Sequence, residues 1–141
     1  LLVNNAGISQ RSSLLAADAI DAARAELETN VFGPLALGRA FAPILAANGG
    51  GAIINVLSVL SWVTLPAVAT YSVSKAAAWS MTNGLRTELA SQHTQVIALH
   101  VGYMETDMAK GVPGPKVSPD VVWMYLSRQL YDRCIEIGPF S

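Results

Sequence analysis

Hydrophobic residues change their spacing along the chain, and each change predicts a new element of secondary structure. Leu1–Val3 is a short apolar run, typical of the end of a buried strand. Ser12–Asn48 is predicted to be mostly helical, because Ala16–Leu27 is rich in good helix formers and apolar residues then recur every three or four positions. The glycines of Gly49–Gly51 end this segment, since glycine is common just past a helix.

Two further apolar runs, Ala52–Leu57 and Thr94–Val101, are short and rich in β-branched residues, which predicts buried strands. A second helix is predicted between them, over Ala69–Ser91. Strands that alternate with helices through short connections form parallel sheets with right-handed crossovers. The order of the elements therefore predicts an α/β fold in which the carboxyl ends of the strands share one edge of the sheet.

The last part of the chain has a less regular pattern. Several glycines and prolines in Ala109–Val117 predict a loop. Ser118–Asp120 combines a capping serine, a proline and an acidic residue, which predicts the start of a helix that runs to about Arg133. Cys134–Ile137 is predicted to be a last short strand. We expect residues 1–141 to form a single, partial domain.

Composition narrows the classes of function. The chain is 52% hydrophobic and 13% charged, with a net charge of −1, so nucleic-acid binding has no electrostatic support. Ala40–Ser74 is uncharged, but its polar, glycine and proline residues favour the core of a soluble protein over a membrane span. The single cysteine, Cys134, fits a reducing cytoplasm. His93 and His100 have no ligand partners at useful spacing, so no metal site is expected.

Tyr71 and Lys75 carry the main candidate chemistry. They are four residues apart, so in a helix they lie on one face, one turn from each other. A nearby cation favours a phenolate, and such a pair can give or take a proton at an alcohol or carbonyl oxygen. Ser58, after the predicted strand, has a hydroxyl group that could hold this oxygen. The same residues also fit an ordinary amphipathic helix and an ordinary turn, so other positions must decide.

Two other stretches bear on this choice. Asn4–Gly7 follows the first strand, at the edge where open parallel sheets bind ligands, although a plain turn would look the same. Gly33 and Pro34 interrupt a predicted helix, and the proline leaves the carbonyl oxygen of Asn30 without its helical partner. Asn30 then either holds a water molecule or faces a neighbouring loop, and the residues alone favour neither.

Together these stretches resemble the short-chain dehydrogenase/reductase family, over nearly the whole chain and in the family's order. They are Asn4-Asn5-Ala6-Gly7, Asn30, Ser58, Tyr71-x-x-x-Lys75 and Gly102-x-x-x-Thr106-Asp107. The resemblance implies a Rossmann-like, doubly wound parallel sheet in a three-layer α/β/α arrangement, of which this chain would contain only the second half. It also implies NAD or NADP as the cofactor.

The resemblance implies a role for each matched residue. Tyr71 would be the acid/base, and Lys75 would bind the nicotinamide ribose and lower the pKa of the tyrosine. Ser58 would orient the substrate oxygen, and the main-chain carbonyl of Asn30 would hold a water molecule in a proton relay. Besides Tyr71 and Lys75, the implied cofactor-binding residues are Asn4, Asn5, Ala6, Gly7, Gly102, Met104 and Thr106.

The sequence departs from the family pattern in two ways. Val101 stands where the family has a proline before Gly102, which implies a local change at most. The glycine-rich phosphate turn of the family, and the residue that selects NAD or NADP, are not found in this sequence. We therefore expect an interior piece, the catalytic half of a longer enzyme, and we expect it to be inactive and unable to bind the cofactor when made alone.

The leading hypothesis is an NAD(P)-dependent oxidoreductase that interconverts a small carbonyl compound and an alcohol. The alternatives are a nucleotide-sugar epimerase or dehydratase of the extended family, and a non-catalytic binding or scaffold protein. Substrate contacts are predicted in the loops Ser9–Leu14, Leu60–Pro66 and Val101–Gly114. The helices over residues 16–48 and 69–91 are apolar on more than one face, which predicts a homodimer or homotetramer through them.

Overall fold

Three parallel strands form one sheet in the part of the chain that the computed structural model describes, residues 1–102, 115–122 and 124. Strand β1 is Leu2–Asn4, β2 is Gly51–Ser58 and β3 is Thr94–Val101, and they are ordered β1-β2-β3. Leu2 lies opposite Ile53, and β2 pairs with β3 along its full length. The three predicted strands that lie within the described residues are confirmed, and β3 has the bounds that its apolar pattern predicts.

The helical elements of the described residues are α1 (Ala19–Leu27), a π-helical turn (Glu28–Phe32), α2 (Gly33–Ala47), α3 (Ala69–Glu88), and 3₁₀ turns at Val59–Ser61, Pro66–Val68 and Ala90–Gln92. The first helix begins later than predicted from the sequence, at Ala19. The hydroxyl group of Ser12 donates to the carboxylate of Asp18 over 2.8 Å, and the residues between them form turns instead. This local side-chain bond competes with helix formation.

The proline at position 34 does not break the helical segment. Pro34 lies in the first turn of α2, where an amide hydrogen is not needed, and the irregular π-helical turn lies just before it. Such turns often occur at functional sites. This turn contains Asn30, which is only 3% exposed, so the irregular backbone carries a buried polar residue.

Several predicted features fall partly or wholly outside the described residues. They include the loop up to residue 114, the helix beyond residue 124 and the strand Cys134–Ile137, as well as Met104 and Thr106. The start of the last helix is confirmed, because residues 119–122 are helical and the amide of Asp120 donates to the hydroxyl of Ser118 over 3.3 Å.

Apolar side chains cover both faces of the sheet. On one face Ile53 contacts residues from both α2 and α3, in a cluster of Leu2, Leu45, Ile53, Leu85, Leu89 and Val96. On the other face Ile54 and Leu99 pack with Val122, which belongs to the last described helical segment. Burial of both faces is typical of a parallel sheet between helices. The α/β, Rossmann-like fold class predicted from the sequence is confirmed.

The loop between α2 and β2 depends on a glycine pair. Gly49 and Gly50 have φ angles of 81° and 112°, and the amide of Gly50 donates to the carbonyl oxygen of Leu45 over 2.9 Å. A side chain at Gly50 would collide with the carbonyl group of His93, whereas one at Gly49 would meet open space. The pair therefore ends α2 and lets the chain pass close to the start of β3.

The helical segment Ala19–Ala47 is long and apolar enough to cross a membrane, by length and composition alone. Only 22% of its most apolar window is buried, and it is the one such segment among the described residues. Core helices of soluble proteins meet the same criterion, and this segment also carries the buried polar residues Glu26 and Asn30. It is weak evidence for a membrane span, and the cytoplasmic location inferred from Cys134 stays a prediction.

Candidate active site

The four residues predicted to act together come from three elements that meet at the carboxyl end of β2. Ser58 is the last residue of β2, Tyr71 and Lys75 lie in the first turns of α3, and Asn30 lies in the π-helical turn. Ser58, Lys75 and Asn30 are buried, and Tyr71 is partly exposed. A ligand could therefore reach the phenol of Tyr71 while the other groups are held by the protein.

Lys75 is held beneath the end of the sheet. Its ammonium group donates to the carbonyl oxygen of Val56 over 3.0 Å, and Nζ lies 5.7 Å from the centre of the Tyr71 ring. Burial lowers the pKa of Lys75 to about 8, because the charged ammonium loses its hydration. The lysine therefore lies beside the phenol, as predicted. Its lowered pKa means that it loses its positive charge at a lower pH than an exposed lysine does.

The acid/base candidate Tyr71 has a raised pKa. Burial is the largest cause, the negative charge of Glu26 adds to it, and a hydrogen bond with the Ser58 side chain opposes it. The direction is opposite to the lowering expected from Lys75, because desolvation of the phenolate outweighs the other influences. The phenol is thus a proton donor at neutral pH.

Ser58 faces the phenol from the corner of the chain between β2 and the following 3₁₀ turn. Its hydroxyl oxygen accepts a hydrogen bond from the amide of Leu60 over 3.1 Å, which caps this turn. Its carbonyl oxygen accepts a hydrogen bond from Nδ1 of His100, also over 3.1 Å. Two bonds therefore fix the position of Ser58 next to Tyr71.

An aromatic cluster beside Ser58 was not anticipated from the sequence, where His100 was considered only as a metal ligand. The rings of His100 and Trp62 are stacked with centres 3.9 Å apart, and Trp79 meets both rings edge-on. Trp62 is 40% exposed and belongs to a loop predicted to contact substrate. The sequence shows a histidine one residue before the end of a strand and two tryptophans elsewhere, but nothing in their spacing predicts that the three rings meet.

Asn30 uses its side chain to hold the loop after β1. Its amide oxygen accepts from the amide of Ile8, and its amide group donates to the carbonyl oxygen of Ile8 and to the hydroxyl of Ser74, all over 2.9 Å. The hydroxyl of Ser74 in turn donates to the carbonyl oxygen of Tyr71 over 2.8 Å. Of the two alternatives, the side chain therefore faces a neighbouring loop, and the water held by the main-chain carbonyl stays a prediction.

The turn Asn4–Gly7 divides into a buried and an open part. The side chain of Asn4 donates to Asn55 over 2.8 Å, and Asn55 donates to Thr82 over 3.0 Å, so Asn4 is bonded within the fold. Asn5 and Ala6 are exposed at the carboxyl edge. A side chain at Gly7 would lie 3.2 Å from Oδ1 of Asn30 and 3.5 Å from Nζ of Lys75, so glycine permits close approach there.

The remaining predicted cofactor-binding residues follow β3. Gly102 is exposed directly after this strand, at the same edge as Ser58. Met104 and Thr106 lie outside the described residues, so their place in the site stays a prediction.

Known proteins are similar to this chain in both sequence and fold. A model of the family described as "short chain dehydrogenase" matches residues 1–115. The "Dehydrogenase/reductase SDR family member 7B" of Xenopus tropicalis is 34% identical over 109 residues, which are 77% of this chain and 35% of that protein. The Drosophila melanogaster "Dehydrogenase/reductase SDR family protein 7-like" is also 34% identical, over 77% of this chain and 33% of its own length. The chain thus spans about a third of these curated relatives.

Solved structures match a larger share of the chain. A short chain dehydrogenase from Burkholderia cenocepacia, crystallised in complex with NADP, has 45% identity and a TM-score of 0.86, over 96% of this chain and 56% of that one. A gluconate 5-dehydrogenase from the same organism, in complex with NADP and tartrate, has 35% identity and a TM-score of 0.73, over 79% of this chain and 43% of that one. With the family match over residues 1–115, these similarities establish that the chain belongs to the short-chain dehydrogenase family.

Proposed function

We propose that this chain is the catalytic half of an NAD(P)-dependent oxidoreductase that interconverts a carbonyl compound and an alcohol. The observation that carries the proposal is the meeting of Tyr71, Ser58 and Lys75 at the carboxyl end of β2. A phenol and a hydroxyl group side by side suit the oxygen of a carbonyl group that becomes an alcohol.

Each side chain has a definite task in this proposal. The hydroxyl of Ser58 holds the substrate oxygen, and the phenol of Tyr71 gives it a proton during reduction and takes one back during oxidation. The pKa of Tyr71 is raised from a value already well above 7, so the phenol carries its proton at neutral pH and is available as the donor. The nicotinamide dinucleotide, when bound, supplies or accepts the hydride.

NAD or NADP is proposed as the cofactor, because the similar Burkholderia cenocepacia enzyme was crystallised in complex with NADP. The residues present fit such a group. Lys75 donates to one acceptor among the described residues, Val56, and an ammonium group has three hydrogens, so others can serve the hydroxyls of a ribose. Gly7 keeps the space beside Lys75 and Asn30 open.

The substrate is proposed to be a small, mainly apolar carbonyl compound or alcohol. The loop that follows Ser58 is apolar, and its residues Trp62, Val63 and Leu65 are each at least 40% exposed. The stacking of Trp62 on His100 holds the indole beside the end of β2. Such a surface binds hydrocarbon groups in preference to charged ones.

A homodimer or homotetramer through the helices over residues 16–48 and 69–91 is also proposed. These helices carry large apolar side chains that are about half exposed, namely Phe32, Leu37, Ile44 and Val73. Packing against the same helices of a second copy would remove this surface from water. Light scattering of the complete protein at micromolar concentration should give a dimer or larger, and a monodisperse monomer would contradict the proposal.

The catalytic proposal is tested by Tyr71→Phe in the complete protein that carries this segment. The change removes the proton donor and keeps the ring, so turnover of acetophenone and other ketones with NADPH should fall by roughly 10²–10⁴-fold. NADPH affinity, measured by fluorescence titration, should change little. Ser80→Ala, on the exposed side of the same helix, is the matched control and should keep wild-type turnover. Near wild-type turnover in Tyr71→Phe would exclude this mechanism.

A further inference from the structure

The helical segment from Asp18 to Asn30 holds the loop after β1 at every second residue of that loop. Asn30 bonds Ile8, and the carboxylate of Glu26 accepts a hydrogen bond from the amide of Gln10 over 2.7 Å. The carboxylate of Asp18 accepts one from the hydroxyl of Ser12 over 2.8 Å. Asp18, Glu26 and Asn30 are separated by multiples of four residues, which places them along one side of the helix.

The same loop is bonded to the turn that carries the acid/base candidate. The carbonyl oxygen of Ser12 accepts hydrogen bonds from the amide and from the hydroxyl of Thr70, each over 3.3 Å. Thr70 immediately precedes Tyr71, and it is buried. A contact that fixes Gln10 and Ser12 therefore also limits movement of the first turn of α3, where the phenol is attached.

Glu26 is the unusual member of this set, because it is an acidic residue with no exposed surface. One carboxylate oxygen accepts from Gln10, and the other has no hydrogen-bond partner among the described residues. Burying a carboxylate is costly unless it is fully paired. A glutamine could make the same bond to Gln10 without a charge, so packing and hydrogen bonding alone do not account for a glutamate here.

The charge of Glu26 bears on Tyr71. Helix α1 packs against α3, from which Tyr71 and Lys75 are the ionisable groups that face the site, and Lys75 is directed toward Val56. The other charged groups nearby are exposed: Arg11 on the loop, and Asp18, Asp21, Arg24 and Glu28 on the helical segment itself. The negative charge of Glu26 raises the pKa of Tyr71, in addition to the effect of burial.

We propose that Glu26 is a positioning residue of the proton-transfer site: it holds the loop at Gln10, which is bonded through Ser12 to the start of α3, and it sets a buried negative charge near the phenol of Tyr71. Its role in the reaction rests on the proposed function, whereas its effect on the phenol does not. Glu26 acts through Tyr71 and Gln10, and it touches neither the substrate nor the cofactor.

Three variants separate the two effects of Glu26. Glu26→Gln keeps the size and one acceptor oxygen but removes the charge. Glu26→Leu removes the charge and the acceptor. Glu28→Gln removes a charge from an exposed site two residues away, and it is the matched control for a general change in charge. Thermal melting identifies the variants that fold, and Glu26→Gln is decisive if Glu26→Leu does not.

The first measurement follows the phenol directly and needs no substrate. Isotope-labelled tyrosine is incorporated into the complete protein, and the NMR signal of Tyr71 is identified by its loss in Tyr71→Phe. Its titration midpoint should move to lower pH in Glu26→Gln, because the phenolate no longer faces a negative charge, and should stay unchanged in Glu28→Gln. An unchanged or higher midpoint in Glu26→Gln would overturn the proposal, even if the protein proved to have no oxidoreductase activity.

The second measurement tests the bond to the loop. Hydrogen exchange at the amide of Gln10 should stay slow in Glu26→Gln and become faster in Glu26→Leu. In assays with phenylethanol and NADP, the pH profile of oxidation should move to lower pH in Glu26→Gln, and KM should rise only in Glu26→Leu. Equal exchange at Gln10 in all variants would show that Glu26 does not hold the loop.

Discussion

The two ends of the parallel sheet are surrounded by different kinds of buried residue. At the amino end, Ile53 and Val96 pack with Leu45 and Leu85 from the helices in an apolar cluster. At the carboxyl end, polar and ionisable residues are buried instead, including Asn30, Ser58, Lys75 and Glu26. Stability and chemistry are therefore separated along the strands, because buried charge weakens a fold that apolar packing elsewhere must stabilise.

A short polar chain marks the border between the two ends. Asn4 donates to Asn55, Asn55 donates to Thr82, and Thr82 donates to the carbonyl oxygen of Ala78 over 2.7 Å. These side chains connect β1, β2 and α3 between the apolar cluster and the site. Because their amide and hydroxyl groups bond in fixed directions, the chain sets the relative positions of the elements that carry Ser58 and Tyr71.

The largest loss of stability is expected from the amino end. Ile53 has no exposed surface, so Ile53→Ala should lower the free energy of unfolding by about 2–5 kcal/mol through lost burial and the cavity left behind. Leu15→Ala, where the side chain is 99% exposed, should change it by only about 0.5 kcal/mol or less. Urea unfolding monitored by circular dichroism measures the free energy of unfolding of both variants. Equal effects would contradict the idea that the apolar cluster at the amino end stabilises the fold.

Lys75→Met tests the carboxyl end of the sheet through the pH dependence of the free energy of unfolding. The pKa of Lys75 is lowered from 10.5 to about 8 in the folded protein. Between these values the lysine is charged only in the unfolded chain, so unfolding takes up a proton and the free energy of unfolding rises with pH. Relative to Lys75→Met, the wild-type protein should gain roughly 3 kcal/mol across this interval, at about 1.4 kcal/mol per pH unit.

The measurement for Lys75→Met is urea unfolding at a series of pH values, with the difference between the two proteins plotted against pH. Both proteins contain Tyr71, so its own titration largely cancels in the difference. A difference that stays flat from pH 8 upward would mean that Lys75 is not held in a desolvating site.

The glycine pair at the amino end allows a matched comparison of two neighbouring positions. Both glycines have positive φ, which costs an alanine about 1–2 kcal/mol. Gly50→Ala would in addition drive a methyl group into the carbonyl of His93, whereas Gly49→Ala has open space. We expect the midpoint of thermal unfolding to fall clearly more in Gly50→Ala, and equal falls would contradict the close contact between the loop after α2 and His93.

The smallest effect is expected at the border. Thr82→Val keeps the shape of the side chain but removes the acceptor of Asn55, which leaves a buried amide unpaired at a cost of about 1–2 kcal/mol. Thr87→Val, an exposed position on the same helix, is the control and should cost less. If Thr82→Val also reduced turnover, the polar chain would be shown to help position the residues of the site at the carboxyl end of the sheet.

Much of the fold could be predicted because the residue patterns that indicate its strands and helices lie within short stretches of the sequence. The bounds of β3 follow from an apolar run that begins after His93, and α3 follows from helix-forming residues over Ala69–Ser91, though it ends at Glu88. Tyr71 and Lys75 share a helix face by spacing alone. The later start of α1 was missed, because it depends on the bond between Ser12 and Asp18, which competes with the helix.

The order of strands and helices and the local pairing of Tyr71 with Lys75 follow from the amino-acid pattern, since both depend on periods of a few residues. The burial of Glu26 near Tyr71 arises only when the chain folds, as does the bond from His100 to the carbonyl of Ser58, across 42 residues of chain. The direction of the Tyr71 pKa also depends on the fold, because burial removes water from the phenolate and raises that pKa. Desolvation depends on every element packed around a group, so no spacing along the chain contains it.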